Sequence, residues 1–175
     1  MTDNNRIVSI FHEGRPTSML LPRENATEWP ISIDMLKSIA ASDKPVLLTG
    51  ETGTGKELLA SYLHEQSRRN GKPLVAINCA MLRGERMEGE LFGWKRGAFT
   101  GAVEDYPGRV AEAQGGTLFL DELGRLDKPL QGLLLRFLES HENRPVGGTA
   151  KLRSDARVIA AAQEASDIVE DLRNR

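Results

Sequence analysis

Cysteine occurs once, as Cys79, so no disulfide can close within the chain. The three histidines, His12, His64 and His141, are scattered and show none of the spacings of zinc ligands, so no transition-metal site is expected. Long apolar runs are missing too. No segment approaches the ~18 residues of a membrane-spanning helix, and Met1-Thr2-Asp3-Asn4-Asn5 lacks the apolar stretch of a secretory leader. A cytoplasmic protein with no membrane contact is the expectation. Net charge is small, −2 with the signs interspersed, which leaves no basic stripe for duplex DNA. Direct DNA contact from this chain is not expected.

What is present suits one globular domain: 175 residues, 39% apolar and 27% charged, enough to bury roughly 70% of the unfolded surface. Residues 1–30 mix short apolar pieces with Gly14, Pro16, Pro22 and Pro30 and hold no period, so they are expected to be irregular. A second region, 31–175, carries the patterned sequence. Met35, Leu36, Ile39 and Ala40 recur at helical spacing, and Val46-Leu47-Leu48-Thr49 is a short buried strand that opens into glycines. A helix over 57–69 would place Leu58, Leu59, Tyr62 and Leu63 on one face, and Leu74-Val75-Ala76-Ile77 supplies the next strand. Thr117-Leu118-Phe119-Leu120 and the residues from Ala156 to Ala161 read as further strands, with a helix over 130–139 between them facing Leu130, Leu133, Leu134, Phe137 and Leu138 inward. From His141 to Arg153, Gly147-Gly148 between polar flanks reads as a hairpin or exposed loop. Strands alternating with helices predict an α/β fold with a mostly parallel sheet covered on both faces.

Two stretches carry chemistry. Gly50-Glu51-Thr52-Gly53-Thr54-Gly55-Lys56 lies between a predicted strand and a predicted helix and matches a phosphate-binding loop. Its glycines let consecutive N–H groups converge on phosphate oxygens, the helix adds its N-terminal partial charge, and Lys56 reaches the outer phosphates. Generic loops continue with Ser or Thr as a magnesium ligand; here Glu57 follows, so a bound Mg2+ would rely on Asp121, phosphates and water. The second stretch is the apolar strand ending in Asp121-Glu122, a Walker B arrangement in which Asp121 faces the metal and Glu122 the attacking water. A carboxylate pair after a strand is common by chance; the matched loop upstream is what singles this one out. Cys79 reads as a small buried residue and His64 as a helix-surface residue.

Gly50 to Glu57, Asn78-Cys79-Ala80, Glu90-Leu91-Phe92-Gly93, Gly97-Ala98-Phe99-Thr100-Gly101-Ala102 and Gly115 to Glu122 together resemble, in order and spacing, the bacterial enhancer-binding proteins, the sigma-54-dependent activators. The resemblance covers about residues 33 to 170 and includes Glu57, which that family characteristically carries after the loop lysine. It implies a three-layer P-loop ATPase core of the AAA+ type, with ATP and Mg2+ as ligands. It also implies assembly into a homo-oligomeric ring, a hexamer in complete proteins, acting on sigma-54 RNA polymerase. By the same resemblance, Gly97, Ala98, Phe99, Thr100, Gly101 and Ala102 form the sigma-54-contacting loop, with exposed Phe99 and Thr100 at its tip. Asn78 would hydrogen-bond the catalytic glutamate, Glu122, and Gln163 would occupy the sensor position.

Three departures from the family pattern stand out. Trp94-Lys95 replaces the usual His-Glu before the contacting loop, and Ala162-Gln163 replaces the sensor's Thr-Asn. The chain stops at Arg175, where the family's intersubunit arginines begin and before its helical lid, so the lid is expected to be missing and only Arg173 and Arg175 could stand in for an arginine finger. Such a finger is worth roughly 10³–10⁵ in rate. Binding could then persist where hydrolysis does not, which leaves a second reading: a hydrolysis-impaired regulatory subunit that assembles with complete activators.

Overall fold

The computed structural model describes residues 7–12, 15–20, 33–81 and 85–174. Ile7–His12 (β1) and Arg15–Leu20 (β2) form an antiparallel pair, followed by the helix Ile33–Ala41 (α1) and the strand Val46–Thr49 (β3). Lys56–Glu65 (α2), Leu74–Asn78 (β4), Glu85–Phe92 (α3) and Arg109–Glu112 (α4) come next. Thr117–Asp121 (β5), Lys128–Ser140 (α5), the short pair Glu142–Asn143 (β6) and Leu152–Arg153 (β7), Arg157–Ala162 (β8) and Glu170–Arg173 (α6) complete the order. Among the described residues no helix is long and apolar enough to cross a membrane.

One sheet runs in the order β2-β1-β3-β8-β5-β4. The four patterned strands β3, β8, β5 and β4 are mutually parallel, as the alternation of strands and helices predicts. The expectation of an irregular segment over 1–30 is corrected at 7–12 and 15–20. There β1 and β2 pair with each other, and β1 pairs antiparallel with β3, Ile10 opposite Leu48. Ile7-Val8-Ser9-Ile10-Phe11 has no strict alternation, so its strand is defined by pairing with β2 and β3 and not by a period of its own. The rest of 1–30 lies outside the described residues.

Side chains alternate along each strand and sort into two cores. Val46, Leu48, Phe119, Ile159 and Ala161 pack with Leu36, Ile39, Leu59 and Leu63 of α1 and α2. Leu47, Leu118, Leu120, Val158 and Ala160 pack on the other face with Met87 and Leu91 of α3, Val110 of α4, Leu130, Leu134 and Phe137 of α5, and Leu172 of α6. The result is three layers. Helix α5 starts where Asp127 accepts a hydrogen bond from the Leu130 amide at 3.0 Å with Pro129 in the first turn. Residues 141–153 form the expected hairpin, β6 against β7.

Two side chains on α2 differ from the expectation. Leu58, read as core, is 75% exposed, while His64, read as surface, is 6% exposed and hydrogen-bonds Thr117 Oγ1 at 2.9 Å. At about 100° per residue the buried arc of this helix runs through Leu59, Ala60, Leu63 and His64, and Leu58 falls outside it.

Candidate functional site

Alternation along the strands decides which groups meet at their carboxyl ends. Asp121 has the parity of Thr117 and Phe119, and Asn78, its direct partner in register, sits on the same face, toward α2. The loop from Gly50 to Gly55 joins β3 to α2 on that side. A cleft of about 250 Å³ is bounded by Thr52, Gly53, Gly55, Lys56, Asp121, Glu122 and Gln163, so the expected phosphate loop, Walker B pair and sensor position face one space.

Gly53 and Gly55 hold φ of +79° and +87°, and a side chain is strained in that region. With Gly55 as its first flanking residue, α2 has no side-chain cap, so its first N–H groups remain available to an anion. Thr54 is buried and turns its hydroxyl to the Glu51 carbonyl at 2.8 Å, fixing the bend, whereas Glu57 is exposed at the helix start. Lys56 Nζ folds back to the carbonyls of Gly50 and Glu51 at 2.7 and 2.8 Å. Burial draws its ammonium below the ordinary lysine value, against the opposing pull of Asp121 and Glu122.

Asp121 Oδ1 accepts from the Glu122 amide at 2.9 Å and Oδ2 from Asn78 Nδ2 at 3.4 Å. The expected Asn78 to Glu122 bond is therefore corrected: the register places Asn78 beside Asp121, and its Oδ1 accepts from Ala80 N at 2.8 Å. Glu122 adopts φ +53°, ψ +43°, a left-handed conformation costing a non-glycine residue about 1–2 kcal/mol. It leaves strand geometry there, and its carboxylate stands 3.7 Å from Arg125 Nε. Cys79 is buried, and burial, with Asp121 and Glu122 nearby, pushes its thiol up to about 12, an inert group.

The second constellation lies on residues 94–106. Trp94 and Tyr106 exchange backbone hydrogen bonds, Lys95 Nζ meets Asp105 Oδ2 at 2.6 Å, and Arg96 N donates to Asp105 Oδ1 at 2.8 Å. Inside this neck, Gly97 N donates to Ala102 O at 2.8 Å, with Gly97 and Gly101 at φ +80° and +99°. Thr100 is exposed at the turn. Phe99 is half-buried rather than exposed, because its ring meets Trp94 edge-on at 5.3 Å. Ala98 packs on Gly147 of the hairpin loop, where a Cβ would stand 2.9 Å from its own. Arg173 lies beside Pro45 and Leu138, away from the cleft, and Arg175 is outside the described residues.

The family model described as "Sigma-54 interaction domain" matches residues 24–174. The chain is 51% identical over 128 residues to the transcriptional regulator VasH of Vibrio cholerae, covering 73% of this chain and 24% of that protein. It is 53% identical over 126 residues to the nitric oxide reductase transcription regulator NorR2 of Cupriavidus necator, covering 72% and 24%. The chain thus spans about a quarter of the length of these relatives. Among solved structures, NtrX of Brucella abortus in complex with ATP superposes with TM-score 0.68 at 31% identity, over 88% of this chain and 38% of that one. With its three-layer α/β fold and the family match over residues 24–174, the chain belongs to the sigma-54 interaction domain family.

Proposed function

We propose that this chain is the nucleotide-binding module of an AAA+ activator that couples ATP hydrolysis to remodelling of sigma-54 RNA polymerase and so regulates transcription initiation. The observation that carries the reading is the pairing of two constellations in one fold: the cleft where Lys56, Asp121 and Glu122 converge, and the loop that presents Thr100 to solvent. That NtrX was solved with ADP and with ATP supports nucleotide as the ligand.

The residues suit the chemistry. The open amides at the start of α2 and Lys56 would hold the phosphates, and Asp121, an oxygen donor at the cleft wall, would hold Mg2+. When bound, Mg2+ supplies charge neutralisation at the outer phosphates. Glu122 would orient the attacking water, and Phe99 and Thr100 would meet sigma-54. Assembly into a ring and a cytoplasmic location belong to the same proposal. The second reading, a regulatory subunit that binds nucleotide without turnover, is favoured by Ala162-Gln163 at the sensor position, where the amide is turned onto the phosphate loop.

Thr100→Ala tests the output. An exposed substitution changes stability by less than about 0.5 kcal/mol, so fold and ATP affinity should be unchanged. Capture of purified sigma-54 with a transition-state analogue of ATP should be lost. Equal capture by parent and variant would remove Thr100 from the contact, and no capture by the parent would leave only the nucleotide-binding module.

A further inference from the structure

The end of β8 meets the phosphate loop at three points. Gly50 N–H is shared between the carbonyls of Ala162 at 3.2 Å and Gln163 at 3.1 Å, and Gln163 Nε2 donates to Thr52 Oγ1 at 3.2 Å. The backbone contacts would exist with any residue at 163. The side-chain contact would not.

Two features fix the reach of Gln163. Strand β8 sends Arg157, Ile159, Ala161 and, beyond its last residue, Gln163 toward the α1–α2 face. Just downstream the chain is tied to buried Gln131, which accepts from Val169 N at 2.8 Å and donates to Asp167 O at 3.2 Å and Leu126 O at 3.1 Å. Residue 163 is therefore held on both sides. On the loop, Lys56 grips the carbonyls of Gly50 and Glu51, directly before Thr52. Residues 50–52 are thus clamped by Lys56 on one side and by Gln163 on the other.

Resting on the nucleotide-binding reading above, we propose that Gln163 is a positioning residue for the phosphate loop: it holds Thr52 so that the loop amides are arranged before a phosphate arrives. A group acting in this way serves every nucleotide that uses the loop. It favours nucleoside diphosphate and triphosphate alike, whereas a reader of the terminal phosphate favours only the triphosphate. Side-chain length matters as well, since asparagine at this position would fall short of Thr52 by one methylene, about 1.5 Å.

The test is a double-mutant cycle by calorimetry on this chain, with Mg-ADP and Mg-ATP, using Gln163→Ala, Thr52→Val and the combination. Both positions are exposed, and melting temperatures should match the parent's. Gln163→Ala is expected to weaken ADP and ATP by the same factor, about three- to tenfold, the range of one neutral hydrogen bond. The combination should weaken binding no more than the poorer single variant, and Gln163→Asn should behave like Gln163→Ala for both nucleotides. A loss confined to ATP, losses that multiply in the combination, or full affinity in Gln163→Asn would each overturn the proposal while leaving nucleotide binding intact. Failure of the parent to bind either nucleotide would overturn both readings.

Discussion

Arg157 is 2% exposed, and carbonyls rather than a carboxylate receive it: Ile39 and Ala40 at 2.7 and 2.9 Å, at the C-terminal end of α1, and Lys44 at 3.3 Å. A cation there completes acceptors that the helix leaves open and faces the negative end of its dipole. Arg157→Leu fills the space but strands those carbonyls, which should cost about 3 kcal/mol and lower Tm by roughly 6–12 °C in a thermal melt. An unchanged Tm would refute this account of the buried cation. His64 makes a pH prediction. Burial holds its pKa below the ordinary 6.5, with the Arg157 charge acting in the same sense and the Lys72 backbone and Glu65 acting against. The folded state therefore binds its proton less readily than the unfolded chain. The stability it contributes is complete above about pH 6.5 and is lost as pH falls through and below that value. Urea midpoints measured from pH 7.5 to 5.5 should decline more steeply for the parent than for His64→Gln, and parallel curves would count against it.

At the scale of elements, the loop 94–106 is organised from its neck. Lys95, Asp105 and the Arg96 amide close it, and the Trp94 ring sits 4.4 Å from Tyr106 and 5.3 Å from Phe99. The exposed ion pair adds at most about 1 kcal/mol to global stability, so its effect is local. Asp105→Ala should leave Tm within about 2 °C yet speed tryptic cleavage after Lys95 and Arg96 several-fold; unchanged cleavage would show that the neck is closed by the rings alone. The elements legible in the sequence are those whose own pattern fixes them: β3, β5 and β8 as apolar runs, α1 and α5 as helical stripes, and the bend between β3 and α2 as spaced glycines. What escaped depends on partners far along the chain. Helix α3 buries Met87, Leu91 and Phe92 among glutamates and a glycine, too short a stripe to stand out beside the Glu90-Leu91-Phe92-Gly93 motif. Gln131 and Arg157 are buried polar side chains whose role depends on carbonyls remote in sequence, Asp167 for one and Ala40 for the other, which no local pattern announces. Asn78 and Glu122 were paired by the family's pattern, while register and a left-handed residue separate them here.

The whole molecule responds to a ligand through mass action. A nucleotide that binds only the folded state at 100 times its Kd adds about 2.7 kcal/mol, or roughly 5–11 °C in Tm for a domain of this size. On the proposed reading, in which Lys56 neutralises the outer phosphates, Mg-ATP should raise Tm by that order in the parent and by nothing in Lys56→Ala. Equal shifts in both would overturn the assignment of the phosphate loop. The sheet also has a consequence for the molecule in a crowded solution. Strand β3 is buried along its full length, and on one side its backbone is covered by β1, which lies before the region matched by the family model. Without residues 1–22, the Val46-Leu47-Leu48-Thr49 backbone would become a sheet edge: short, apolar, without a charge or proline within it, and able to pair with another chain. With β1 and β2 in place that edge is closed, and the outer strand is β2, which opens with Arg15 and Pro16, residues that disfavour pairing at an edge. A chain beginning at residue 23 should scatter light and elute as large species at concentrations where the 175-residue chain remains dispersed.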